Sequence, residues 1–122
     1  MAAEQTGRVL IVEDELLVAM MMECHFQDLG YEVIGPALRL DHGLELARSA
    51  DLDFAVLDVN LGATLSFPIA DALARRDIPF CFATAHGRLC PDHRHAGVPM
   101  LDKPFMLDDL EDAMRSATRI AA

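Results

Sequence analysis

Residues 54–60 read Phe-Ala-Val-Leu-Asp-Val-Asn, and this stretch constrains the fold more than any other. The apolar run from Phe54 to Leu57 is short enough for a strand buried on both faces, the kind that parallel sheets use. It stops abruptly at a carboxylate, Asp58. An unpaired carboxylate taken out of water costs several kcal/mol, so Asp58 has to open onto a cleft at the strand's carboxyl end, beside a cation or hydrogen-bond donors. Open α/β sheets place their chemistry there. An aspartate that ends a strand and caps the next turn is also common, so its companions must decide between the two.

The chain has 122 residues, 52% of them hydrophobic, which fits one compact domain with a full core and leaves no room for a second. A single domain over residues 1–122 is expected, with residues 1–7 as a small, polar lead-in and no output domain. With 10 basic against 20 acidic residues the formal net charge is −10. Such a chain is poorly suited to neutralising nucleic-acid phosphates, so no nucleic-acid partner is expected. The three cysteines, Cys24, Cys81 and Cys90, are odd in number and lie in or near apolar runs, and no secretory segment precedes them. A reducing cytoplasm fits best. The longest apolar run, residues 16–22, has seven residues where a membrane span needs roughly 20, so no membrane contact is expected.

Along the chain, strand and helix patterns alternate. Residues 8–12 are a β-branched run that reads as the first strand and ends in Glu13-Asp14-Glu15. From residue 15 to 29 the pattern is helical, with Val18, Met22, Phe26 and Leu29 on one stripe that Gly30 closes. Residues 31–36 alternate and break at Gly35-Pro36, which predicts a less buried strand at an edge. A second helix through Ala50, capped by Asp41 or a neighbour, turns Leu44 and Ala47 inward before the strand that begins at Phe54. After Asn60, a loop over residues 61–65 precedes Ser66 as a cap and Pro68 in the first turn of a helix to about Arg76. Residues 78–83 and 98–101 read as the fourth and fifth strands. Between them Pro91 limits any helix over 87–97 to one or two turns. The last helix starts near Leu107, with Asp108 and Asp109 at its positive end and Arg115 and Arg119 near its negative end. Leu107, Leu110, Met114 and Ala117 supply its apolar stripe. Strands alternating with helical segments through right-handed crossovers predict an α/β fold, a five-stranded parallel sheet covered on both faces.

One edge of that sheet then collects Glu13 and Asp14 after the first strand, Asp58 after the third, Thr84 after the fourth and Lys103 after the fifth. Three carboxylates and one ammonium leave a local charge near −2. Two carboxylates about 5 Å apart repel by about 3 kcal/mol at an effective dielectric of about 20. A divalent cation with oxygen ligands, Mg²⁺ above all, resolves that repulsion. Asp58 is then a nucleophile toward phosphorus, with Thr84 and Lys103 placed to meet phosphoryl oxygens by hydrogen bond and charge. Ala85 is small enough to leave an approach path.

Glu13-Asp14, Asp58 within Leu-Asp-Val-Asn, Thr84-Ala85 and Lys103-Pro104 together resemble the receiver domain of bacterial response regulators over residues 7–120. The resemblance implies a flavodoxin-like (CheY-like) doubly wound sheet of strand order 2-1-3-4-5. It implies that Asp58 accepts a phosphoryl group from a phosphohistidine on a sensor histidine kinase or a histidine phosphotransfer protein. Asp14, Asp58 and the backbone carbonyl of Asn60 would bind Mg²⁺, Glu13 would hold it through water, and Thr84 and Lys103 would contact the phosphoryl group. A cis bond between Lys103 and Pro104 is also implied. Within the family, residues 79–87 resemble the FATGUY receivers associated with alphaproteobacterial stress signalling, although Ala85 and His86 depart from that pattern. Met100 stands where most receivers carry Tyr or Phe, so activation is expected to reorganise residues 87–97 instead.

The family docks kinases against its first helix and the loop before its last, which makes Leu17, Met20 and Met21 candidates for a docking or weak dimer face on an otherwise monomeric protein. A phosphorylation-independent binding module or antagonist, occupying a kinase or stress-response partner, is the alternative. An aspartate-based phosphatase would carry a second aspartate where Asn60 stands and further cap structure. A flavin site is disfavoured by the charge of Glu13-Asp14-Glu15. Cys90, His93 and His95, with Asp92 and His86 nearby, match no standard zinc spacing.

Overall fold

The computed structural model describes residues 7–84, 95, 97–103 and 105–121. In chain order the elements are β1 (Arg8–Val12), α1 (Leu16–Asp28), β2 (Glu32–Ala37), α2 (Leu40–Ser49), β3 (Phe54–Asp58), β4 (Asn60–Leu61), β5 (Thr64–Leu65), α3 (Phe67–Arg75), β6 (Phe80–Thr84), β7 (Met100–Asp102) and α4 (Leu107–Ala121). Five strands form one sheet of order β2-β1-β3-β6-β7, every neighbouring pair parallel. This is the doubly wound, flavodoxin-like order that the receiver resemblance implies, with β2 at one edge as its pattern predicts.

Side-chain alternation along the strands divides the core into two layers. Leu10, Val12, Ala55, Leu57, Phe80 and Phe82 face one side, where Ala47 of α2 and Ile69 and Leu73 of α3 pack on them. Val9, Ile11, Phe54, Val56, Cys81 and Ala83 face the other, under Met22 and Phe26 of α1 and Leu110, Ala113 and Ala117 of α4. β3 is buried along its whole length, as its unbroken apolar run requires. Because β1 and β3 are adjacent in the sheet, the chain reverses its direction of winding between them, and a crevice opens past their carboxyl ends.

Local chemistry sets the boundaries. Gly30, at φ 93°, ends α1 in a left-handed turn. There the Tyr31 N–H donates to Phe26 O at 2.9 Å, the Gly30 N–H donates to Gln27 O at 3.0 Å, and the Tyr31 ring packs edge-on to Phe26. β6 and β7 begin two residues later than the sequence pattern places them. Pro79 and Pro99 have no N–H to give to a ladder, although each carbonyl still accepts, from Ala55 and Phe82. The expected 61–65 loop is instead a two-stranded antiparallel hairpin, β4 with β5, turned by Gly62 at φ 69°. Arg39, not Asp41, precedes the first turn of α2. Ser66 precedes α3 but its buried hydroxyl caps nothing. Most of the expected irregular 87–97 segment, with the conformational change assigned to it, lies outside the described residues, as do residues 1–6. Among the described residues no helix is long and apolar enough to cross a membrane.

Candidate functional site

Glu13 leaves the end of β1, and its N–H donates to Ala37 O at 3.0 Å. That acceptor is delivered by an irregularity in β2, where the register with β1 shifts between Leu10 and Val12 and Gly35 takes φ 99°. The Glu13 side chain is fully buried, an arrangement tolerable only with partners on its oxygens. Lys103 Nζ donates to Oε1 at 2.6 Å and the Glu15 N–H donates to Oε2 at 3.1 Å.

Asp58 ends β3 and is also buried. The Asn60 N–H donates to its Oδ1 at 3.3 Å, and Lys103 Nζ donates to its Oδ2 at 3.1 Å. Asp14 is exposed, with a carboxylate oxygen in a group where the oxygens of Glu13, Asp14 and Asp58 all lie within 4.8 Å of one another. Thr84, buried at the end of β6, is one residue beyond Ala83, the register partner of Asp58. Its carbonyl accepts the Lys103 N–H at 2.8 Å, which ties the two residues by backbone.

The electrostatics follow from burial. Loss of water pushes the Asp58 carboxyl up, the charge and hydrogen bond of Glu13 add to that, and Lys103 offsets only part, so the group rises from 3.8 to about 7. Burial alone would lower the Lys103 ammonium, but its bond to Glu13 and the charges of Asp58 and Glu13 outweigh that and hold it above its ordinary value. Lys103 therefore stays charged. One ammonium among three carboxylates leaves a cluster of hard oxygen donors with surplus negative charge, the donor set that hard divalent cations take.

Glu13, Asp14, Asp58, Asn60, Thr84 and Lys103 are thus gathered at one end of the sheet. Glu15, outside the set expected from the sequence, also reaches the site, its Oε1 lying 3.9 Å from Lys103 Nζ. Its place beside two acids in the loop after β1 is the signal that could have marked it. Of the possible zinc ligands near residue 90 only His95 is described, and its Nε2 lies 2.8 Å from Asp71 Oδ1. Ala85, His86 and Pro104, with the expected cis bond, lie outside the described residues. Cys81 is buried, its thiol pushed up to about 12, and Cys24 is exposed and free. On α1, which starts just past the acidic cluster, Leu16, Leu17, Met20 and Met21 are exposed, as is Met106 ahead of α4.

No protein-family model matches the chain. It is 33% identical over 114 residues to the transcriptional regulatory protein PdtaR of Mycobacterium tuberculosis, a match covering 90% of this chain and 56% of PdtaR. The chain spans about half the length of the curated relatives it matches. The solution structure of SdrG from Sphingomonas melonis Fr1 is 40% identical, with a TM-score of 0.79, covering 90% of this chain and 94% of SdrG. The signal receiver domain of a modulated diguanylate cyclase from Desulfovibrio desulfuricans G20 is 27% identical, with a TM-score of 0.79, covering 96% and 97%. With the sheet order, the acidic crevice and these likenesses in agreement, the chain belongs to the response-regulator receiver domains of two-component signalling.

Proposed function

We propose that Asp58 accepts a phosphoryl group from a phosphohistidine on a sensor kinase or a histidine phosphotransfer protein, and that the modified domain signals or relays through protein contacts. The observation that carries this reading is the convergence on Asp58. It is a buried carboxylate at a strand end, with an ammonium on one oxygen, a backbone N–H on the other and two further carboxylates beside it. An Asp58 oxygen attacks phosphorus, a P–O bond forms as the P–N bond of the donor breaks, and the departing imidazole keeps the electron pair and takes up a proton.

Asp14, Asp58 and the Asn60 carbonyl would hold Mg²⁺, with Glu13 holding it through water; the clustered oxygens suit that ion. When bound, the metal supplies charge that lets a carboxylate meet an anionic phosphoryl group. Lys103 already touches Asp58 Oδ2 and travels a short way to a phosphoryl oxygen, while Thr84, tied to it by backbone, offers a hydroxyl to another. Water has restricted access to Asp58, so the acyl phosphate persists long enough to signal and is then hydrolysed. The protein is a phosphoacceptor that assists its own modification rather than an enzyme acting on a separate substrate.

The test is incubation with acetyl phosphate and Mg²⁺, with intact mass and peptide mapping. Acid-labile phosphate on Asp58, absent from Asp58→Asn, is the expected result; phosphate elsewhere or none overturns it. Met100, half-buried at the start of β7 where most receivers carry an aromatic ring, leaves open the second reading of a module that binds without modification. Partner binding that is the same for Asp58→Ala and for the phosphorylated wild type would show that the contact does not depend on the modification, as that reading requires.

A further inference from the structure

Five polar or charged residues are buried among those described: Glu13, Asp58, Ser66, Thr84 and His95. Three belong to the acidic site and Ser66 heads α3. His95 belongs to neither. Its ring centroid lies 5.7 Å from that of Phe80, 6.0 Å from Phe82 and 6.4 Å from Phe67, and Phe82 in turn contacts both other phenylalanines edge-on. Its Nε2 pairs with Asp71 Oδ1 of α3 at 2.8 Å, across 24 residues of chain. A leucine would fill such a pocket at no polar cost, so the imidazole is placed for its bond as well as its bulk.

Two short backbone contacts connect this ring to the phosphoacceptor end. The His95 carbonyl accepts the Val98 N–H at 3.1 Å, which folds residue 95 back onto the chain entering β7, and the Pro99 carbonyl accepts the Phe82 N–H at 3.0 Å. β7 then runs from Met100 to Asp102 and delivers Lys103, whose Nζ lies on Glu13 and Asp58. The strand is three residues long. β7 is thus the short link between Lys103 at one end and the His95 anchor ahead of the other. β7 carries Met100 and no aromatic ring, so His95 supplies the ring that packs on Phe82 from this part of the chain.

We propose that the His95–Asp71 bond is a latch. Closed, it fastens the entry to β7 onto α3 and β6 in the arrangement that keeps Lys103 on Asp58; it opens as a phosphoryl group draws Lys103 away. The proposal rests on Asp58 being the acceptor. A latch that favours the unmodified arrangement opposes phosphorylation, so breaking it speeds the reaction. A purely structural role predicts the reverse, since loosening the fold would slow the reaction.

Asp71→Ala leaves the three phenylalanines and the imidazole in place, and His95→Phe keeps a ring without the nitrogen. In each, the initial rate of Asp58 phosphorylation by acetyl phosphate and Mg²⁺, followed by intact mass, is expected to rise at least threefold. The double variant is expected to gain no more than the larger single effect, because the His95–Asp71 bond is already lost in each single variant. Thermal unfolding identifies a variant that does not fold, and if His95→Phe is one, His95→Leu takes its place. Rates in the folded single variants within twofold of wild type or below it overturn the latch, as does multiplication of the two effects. A wild-type protein that takes no phosphate on Asp58 overturns the acceptor reading and the latch together.

Discussion

Asp58 and Lys103 are chemically interdependent. In the absence of a divalent ion the Asp58 carboxyl titrates at about 7, raised from 3.8 by burial and by Glu13. A carboxyl raised on folding binds its proton more tightly in the native state than in the unfolded one. Its stabilising contribution is complete below pH about 4 and disappears as pH rises through about 7. Each pK unit is worth about 1.4 kcal/mol, which sets a ceiling of about 4 kcal/mol on the loss. Thermal unfolding in a chelator should thus show wild type losing stability between pH 4 and 7, while Asp58→Asn, with nothing to ionise, loses clearly less. Mg²⁺ should restore wild type at pH 8 and do little for the variant. Lys103→Met makes the complementary case: it strips the buried Glu13 of its 2.6 Å donor and the cluster of its cation. A cost of roughly 2–4 kcal/mol in chelator is expected. Mg²⁺ should bind the variant more tightly than wild type by calorimetry, since the surplus negative charge is larger. Equal affinity would mean that Lys103 does not compete with the metal.

At the scale of elements, β2 shows how a distant strand shapes the site. Gly35 sits at φ 99°, and a Cβ there would come within 2.8 Å of the Ala37 backbone nitrogen. Gly35→Ala therefore both strains its own backbone and pushes on the residue whose carbonyl holds the Glu13 N–H. A loss of about 2 kcal/mol in urea unfolding is expected, together with weaker Mg²⁺ binding. Gly30→Ala, at φ 93° and far from the cluster, should cost a similar amount while leaving Mg²⁺ binding unchanged. That sheet-edge geometry was partly legible. The strand ends were readable because a buried apolar run followed by a charge has few places to go, and β3 is the clearest case. The Gly35-Pro36 break could be read as the end of a strand but not as an irregularity inside one, because the distinction depends on pairing with β1. The β4–β5 hairpin was missed for the same reason, since four residues in two short strands carry no periodicity. The His95–Asp71 pair joins residues 24 apart through tertiary packing alone, and no local pattern announces it.

The whole molecule is acidic, with a formal net charge of −10, yet α1 shows an apolar face to solvent. Leu17 is 80% exposed, with Leu16, Met20 and Met21 also open on the same helix. Like charge discourages two copies from associating elsewhere on their surfaces, so contact is concentrated on uncharged faces such as this one. α1 begins three residues after Glu13, so a partner seated on it has its reactive group near Asp58. The patch and the acceptor then make separate demands. On the proposed function, a small phosphodonor should need only the crevice, whereas a phosphohistidine carried on a protein should need the face as well. Leu17→Glu and Met21→Glu change exposed side chains and should alter stability by no more than about 0.5 kcal/mol. Each should leave the rate of phosphorylation by acetyl phosphate within twofold of wild type. Each should also slow transfer from a phosphorylated histidine kinase at least tenfold, because a carboxylate buried in that contact has no partner. A parallel fall with both donors would point to damage in the crevice, and no fall with either would place the docking face on another surface of the domain.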